Sequence, residues 1–361
     1  KKEFITYSFW LFVSLIITLM FTNRFSIKGF LISLDSGFAF LVFFIMLVHL
    51  ITVKFHLYKK DFIKKIKLPQ NLISIIISII LMIILSSFLF GPSFILDKFK
   101  DLNQIMFRPV TGRWSTTVAE NSQPHFAEWV GNFGPRLKNI PILFWLSAIG
   151  SILLFKKALN HLNNKDAWIL VLAYIFLFSG LVFSRYSDST LFNGENFISK
   201  LFYYSSALIF AIVTIYYYIK YSKIEDRGLE KIDYEYLFLI SLFILCLFTA
   251  RSAVRLIMVL GPIAPIFLGF LIVYSIEGFR KTKDETWKII LGTLILLILA
   301  LSIFSFWTFY TSIKSESYSY VPSYYNQQWQ NAMGWVRDET PKDAVFAHWW
   351  DYGYWVQSIG D

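Results

Sequence analysis

Charge is scarce in this chain. Of its 361 residues 16% are charged and 56% are hydrophobic, where soluble domains carry about 25% charged residues. That deficit excludes an ordinary soluble domain as the main body. Cysteine is almost absent: Cys246 stands alone inside an apolar run, so no disulfide framework can form within the chain. No Gly-rich phosphate loop, Walker pattern or zinc-type Cys/His spacing occurs, which removes the nucleotide and zinc chemistries that depend on them. Charge is nearly missing inside the first six apolar runs, which argues against an ion or proton pathway through them.

What the chain has instead is long apolar runs, each near the length of a bilayer crossing. Nine spans are predicted, at 6–22, 38–57, 71–91, 140–156, 167–184, 201–219, 235–250, 253–276 and 287–310. All-round apolar helices in this number would overfill a globular core, so a bilayer is the solvent that accommodates them. The predicted fold class is an all-α multi-pass transmembrane helical bundle. Residues 1–310 form its membrane domain, and residues 311–361 begin an external mixed α/β domain.

The net charge of +10 could suggest nucleic acid, but its distribution follows topology. Lys54, Lys59, Lys60, Lys64, Lys65 and Lys67 follow the second span, and Lys156, Lys157 and Lys165 follow the fourth. Lys220, Lys223, Arg227 and Lys231 follow the sixth, and Arg280, Lys281, Lys283 and Lys288 follow the eighth. Every second connection is basic, which places these loops in the cytoplasm by the positive-inside rule. The loops at 23–37, 92–139 and 185–200, the short turn near Arg251 and the tail from about 311 are then external. The basic loops meet anionic headgroups, not nucleic acid.

Three external features could carry chemistry. The first is Trp349, Trp350, Asp351, Tyr352 and Gly353, preceded by a predicted short buried strand at Val345–Ala347. Aromatic walls around one carboxylate suit a hydroxyl or amide ligand; the same residues could equally pack a domain onto the membrane surface. The second is Glu120 on the long loop, able to bind a metal or orient an amide, or to be only a solvated carboxylate. The third is Arg255, with Arg251 one turn earlier, at the external start of the eighth span. A guanidinium there either binds a lipid-borne phosphate bidentately or snorkels to ordinary headgroups. Pro262 and Pro265 should kink the same span. His125 lies on the long loop with no second histidine spaced to join it in a metal site, and Asn193-Gly194-Glu195-Asn196 reads as a turn.

Trp349-Trp350-Asp351-Tyr352-Gly353 resembles the WWDYG signature of oligosaccharyltransferase catalytic subunits. Trp335-Val336-Arg337 through Pro341-Lys342-Asp343-Ala344 looks like the family's approach to that motif. Thr117-Val118-Ala119-Glu120 is similar to its TIxE or SVSE motif, and Val254 through Pro262 resembles the segment that supplies an arginine for the lipid pyrophosphate. The style of the sequence looks archaeal. The resemblance implies a glycosyltransferase of the membrane GT-C type. Its substrates would be an oligosaccharide on a polyisoprenyl mono- or diphosphate and an acceptor polypeptide carrying Asn-x-Ser/Thr. Trp349, Trp350 and Asp351, with Tyr352 and Gly353 completing the motif, would hold the acceptor hydroxyl. Glu120 would sit by a divalent metal, Mn or Mg, and help orient the acceptor amide, and Arg255 would neutralise the leaving phosphate. The implied place is the cell membrane, with the motif and the 92–139 loop outside.

This sequence departs from the family pattern in two ways. Glu120 and Arg255 are further apart than in the family, with the surplus near 186–233, so Arg185 rivals Arg255 and Arg251 for the phosphate. The chain opens on Lys-Lys and stops at Asp361, and it reads as a piece of a longer protein, with further metal ligands upstream of Lys1. The piece alone is expected to be inactive. The competing readings are another polyprenyl-linked-sugar transferase, such as an O-mannosyltransferase type, and a transporter for lipid-linked sugar. A transporter would be expected to show charged spans or paired broken helices.

Overall fold

The computed structural model describes residues 2–21, 34–56, 68–107, 119–222, 228–319, 325–348 and 350–360. They form two compact units, Lys1–Phe133 with Phe144–Lys281, and Gly134–Leu143 with Thr282–Asp361.

In the first unit the apolar runs become helices: α1 (Lys2–Phe21), α2 (Leu34–Lys54), α3 (Gln70–Phe90) and, after a turn, α4 (Phe94–Phe107). The boundaries of α3 follow from its flanks. Pro69 precedes it with φ −59°, and Gly91, at φ 97°, ends it and returns its N–H to the Ser87 carbonyl. A short 3-10 turn, η1 (Ala119–Asn121), and helix α5 (Phe126–Asn132) then lead to α6 (Ile142–Ala158), α7 (Asn164–Phe183) and α8 (Phe197–Tyr221). The 3-10 turn η2 (Leu229–Lys231), helix α9 (Tyr234–Ser252), the 3-10 segment η3 (Val254–Leu260) and helix α10 (Ala264–Lys281) complete the unit.

Among the described residues, eight helices are long and apolar enough to cross a membrane. The chain is a multi-pass helical membrane bundle. The predicted fourth span appears as α6, a helix of 17 residues, long enough for about 26 Å at 1.5 Å per residue.

Helix α7 sits at the centre and is the most deeply buried of the candidate spans. Leu170, Val171, Tyr174, Leu177, Leu181 and Val182 pack there with Phe155, Tyr203, Phe243, Leu247 and Phe267 from neighbouring helices. Its amino-terminal end is pinned to the carboxy-terminal end of α8. Asp166 accepts from Lys220 Nζ at 2.6 Å and from the Tyr221 hydroxyl at 2.5 Å. Helix α3 is tied to the same end, where Asn71 donates to Tyr218 and to Glu230.

Close backbone approach replaces hydrophobic driving force inside a bilayer, and Gly150 shows one place where it occurs, with Gly269 as the contrast. A Cβ on Gly150 of α6 would lie 2.1 Å from the Phe267 carbonyl oxygen of α10. A Cβ on Gly269, two residues further along α10, would meet nothing within 4 Å. Gly150→Ala is therefore expected to cost about 1–3 kcal/mol by forcing two backbones apart, while Gly269→Ala leaves stability unchanged. Thermal unfolding of both variants in detergent checks the contrast.

The predicted eighth span is not one helix. Ala253 is extended at φ −157°, η3 follows, and α10 begins only at Ala264. The break falls just before and between Pro262 and Pro265, whose rings disfavour a continuous helix. Arg251 is corrected by the same feature: it belongs to the last turn of α9, not to the start of the next span.

The second unit holds a two-stranded hairpin, β1 (Arg136–Leu137) against β2 (Ile140–Pro141), and helices α11 (Glu285–Ser319), α12 (Gln327–Glu339) and α13 (Trp350–Ile359). Helix α11 runs nine residues past the predicted end at 310. Its polar last turns turn their hydroxyls back onto its own carbonyls, Thr311 to Thr308 and Ser317 to Lys314. Helix α12 ends before Pro341, as the Thr340-Pro341 pair predicts. The expected buried strand at Val345–Ala347 is absent. Those residues are irregular and exposed, Val345 by 97%, and among the described residues no second strand offers them a ladder.

Candidate functional site

In the first unit, turn η1 packs against η3. The Val254 N–H donates to the Ser122 carbonyl at 2.9 Å, joining the backbone after Glu120 to the backbone before Arg255. Glu120 and Arg255 are both exposed. Neither has a hydrogen-bonding or ionic partner among the described residues, and they do not pair with each other. A carboxylate and a guanidinium, each unpaired among the described residues, thus lie exposed on adjoining turns. That combination can grip a polar donor group on one side and an anion on the other.

The other two arginines are placed differently. Arg251 is 3% exposed; its Nη1 donates to Gln123 Oε1 at 3.1 Å, and its guanidinium lies over the Tyr203 ring, 5.6 Å from the centroid. It is not a snorkelling side chain. Arg185 lies in an isolated β-bridge with Asn193, its side chain 12% exposed and 3.9 Å from Glu195. The turn that carries Glu195 is the one predicted: Asn193 Oδ1 accepts from the Glu195 and Asn196 amides, and Gly194 at φ 86° leaves room for the Arg185 stem.

His125 precedes α5 and gives its N–H to the Glu128 carboxylate at 2.8 Å. Its ring Nε2 is 3.3 Å from Asp188. Burial, and then the positive charge of Arg185, lower its pKa below the ordinary 6.5. Asp188 pulls the other way, but that carboxylate is 86% exposed and well solvated. With the folded pKa depressed, the unfolded chain binds the proton first. The stability from this group is complete above about pH 6.5 and declines as pH falls through the folded value. His125→Gln is expected to shed that acid-side decline, measured as melting temperature against pH.

In the second unit the motif opens α13. Trp349 lies outside the described residues. Trp350 and Asp351 occupy the first turn of the helix. Tyr352 and Trp355 pack on Trp329 of α12 with centroids 4.7 Å away in each case. The aromatic residues that follow Asp351 thus dock α13 onto α12. Gly353 lies against the His348 ring, close enough that a Cβ there would collide with it.

Of the predicted site residues, Glu120 and Arg255 come together in one unit, while Trp350 through Gly353 start a helix of the other. Gln123, Ser122 and Tyr203 were not foreseen. Gln123 and Ser122 follow Glu120 directly, but nothing in their type distinguishes them from solvated loop residues. Among the described residues no three His, Cys, Asp or Glu side chains gather as a metal site. Mn and Mg take several oxygen ligands, and Glu120 supplies one such donor. The described residues do not by themselves make up the metal centre that the resemblance implies.

No family model matches the chain, and no solved structure matches it. Two curated proteins do. The chain is 27% identical over 161 residues, 44% of its length, to dolichyl-phosphooligosaccharide-protein glycotransferase 1 of Pyrococcus horikoshii. It is 27% identical over 127 residues, 35% of its length, to the protein of the same name from Pyrococcus furiosus. The matched stretches are 16% and 13% of those proteins. This multi-pass membrane chain is thus similar, over a minor part of their length, to two archaeal glycotransferases.

Proposed function

We propose that the protein to which this chain belongs transfers an oligosaccharide from a polyisoprenyl mono- or diphosphate onto the side-chain amide of Asn in Asn-x-Ser/Thr. The observation that carries this reading is the pair Glu120 and Arg255, exposed on packed turns and unpaired among the described residues. The similarity to two proteins named as glycotransferases supports it.

In the reaction the amide nitrogen attacks the first carbon of the sugar. A C–N bond forms, the C–O bond to phosphate breaks, its electron pair leaves with the lipid phosphate, and the proton that the nitrogen sheds passes by way of Glu120 to the departing phosphate. Glu120 accepts a hydrogen bond from the acceptor amide N–H and turns its nitrogen toward the sugar. Arg255 pairs with the departing phosphate oxygens, where negative charge grows, a task suited to a planar guanidinium. Asp351 at the start of α13 accepts from the acceptor's Ser/Thr hydroxyl, with Trp349 and Trp350 as apolar walls. A divalent metal, when bound, would supply Lewis acidity, with Glu120 as one of its ligands. The orientation that serves this chemistry puts the 92–139 loop and the WWDYG helix outside the cell.

The test is transfer of lipid-linked sugar to an Asn-x-Thr peptide by the full-length protein. Asp351→Ala is expected to raise the acceptor KM about tenfold or more, the cost of one charge-assisted hydrogen bond, with less effect on kcat. Sugar found on Ser or Thr would favour the O-transferase reading. Movement of lipid-linked sugar across the bilayer without any peptide product would favour a transporter.

A further inference from the structure

Arg251 carries a cost that the proposed chemistry does not explain. It is 3% exposed in the last turn of α9, and a buried guanidinium is unfavourable unless its charge and donors are met. Among the described residues no carboxylate pairs with it, and its Nε has no hydrogen-bond partner. What meets it is the Gln123 side-chain oxygen at 3.1 Å and the face of Tyr203. Gln123 is itself 2% exposed, so loss of the arginine would take a charged donor from a buried amide.

A second tie joins the same pair of segments. Arg251 reaches Gln123, and three residues later the Val254 N–H reaches Ser122. Glu120 lies two and three residues before these acceptors, and Arg255 one residue after the second donor. Both ties thus lie within three residues of Glu120 and four of Arg255, close enough along the chain to bear on the separation of the two exposed groups. The ring beneath the guanidinium comes from α8, which anchors the junction to the body of the bundle.

We infer that Arg251 is a positioning residue, a buried clamp that holds the Glu120 turn against the Arg255 turn without touching substrate. The inference rests on the proposed transfer reaction for its kinetic consequence, but not for the clamp itself. A guanidinium suits the task because its flat fork can lie against the Tyr203 ring while donating in its own plane to Gln123, a geometry that a compact ammonium does not reproduce.

The full-length protein in lipid nanodiscs supplies the test, with Arg251→Met, Gln123→Met, the double variant and Arg251→Lys. Hydrogen exchange at the Val254 amide reads the clamp, and kcat and KM for an Asn-x-Thr peptide read its consequence. Each single variant is expected to speed exchange about tenfold, the loss of roughly one hydrogen bond's worth of protection. Each should lower kcat about 100-fold through misplacement of the reacting groups while the acceptor KM stays near its original value. The double variant should be no slower than either single one, because both act through one contact. Arg251→Lys should not restore kcat. Unchanged exchange and kcat in Arg251→Met, or single effects that simply add in the double variant, would overturn the clamp. If Arg251→Met does not fold, Gln123→Met decides by the same criteria with the guanidinium kept. If the unaltered protein transfers no sugar, the proposed reaction fails, and the exchange measurement alone decides the clamp.

Discussion

Glu120→Ala in the full-length protein is expected to lower kcat for peptide glycosylation about 100- to 1,000-fold, the range seen when one positioned polar group is lost from a reacting centre. The carboxylate is exposed and has no partner among the described residues, so its removal breaks no hydrogen bond or ion pair among them. Folding stability should change by less than about 0.5 kcal/mol, as for an ordinary surface substitution. That separation makes the experiment sharp: a large loss of rate without loss of melting temperature assigns Glu120 to the reaction. Glu120→Gln keeps a hydrogen-bond acceptor and loses the charge. It should recover part of the rate if orientation of the amide dominates, and none if the charge is required. A rate equal to that of the unaltered protein in Glu120→Ala would leave the carboxylate as a solvated loop residue.

Arg255→Ala is expected to lower kcat by a similar factor, about 100- to 1,000-fold or 2.7–4 kcal/mol of transition-state stabilisation, with little change in the acceptor KM. Arg255 is exposed on η3 and free of partners among the described residues, whereas Arg185 is drawn toward Glu195 and bridged to Asn193. Arg185→Ala should therefore disturb the 193–196 turn and stability more than the reaction. Arg255→Lys should regain part of the rate, since a point charge still meets the phosphate but cannot match it bidentately. Steady-state transfer assays of the three variants decide between the arginines. If Arg185→Ala abolishes transfer and Arg255→Ala does not, the assignment of the phosphate to Arg255 is wrong.

Much of the bundle was legible because membrane helices are specified locally. A run such as 71–91 needs no tertiary partner to be helical in lipid, and it became Gln70–Phe90. The turn at Asn193-Gly194-Glu195-Asn196 was legible for the same reason: Asn side chains close it on their own backbone. The segment at Val345–Ala347 was misread because a strand is a property of two segments. Alternation and bulk cannot supply the neighbour whose N–H and C=O groups complete the ladder. The motif's aromatic residues were ambiguous in sequence between pocket and packing. Tyr352, together with Trp355 two residues beyond the motif, took the packing role against Trp329, a partner more than twenty residues away in sequence that no local pattern points to.

The two arginines four positions apart mark the boundary between what each level of description decided. Apolar run lengths, the alternation of basic loops and the motif at the end of the chain stand in the sequence itself, because hydrophobic length and loop charge act residue by residue. In a continuous helix Arg251 and Arg255 would share one face, one turn apart. The tertiary structure ends α9 at Ser252, extends Ala253 and restarts as η3, so the two side chains part. Arg251 is buried on Tyr203 and Gln123, and Arg255 is left exposed beside the Glu120 turn. That division needed α8, α9 and the loop after Glu120 to meet in space, since the burial and pairing of a cation depend on groups that spacing along one helix does not specify.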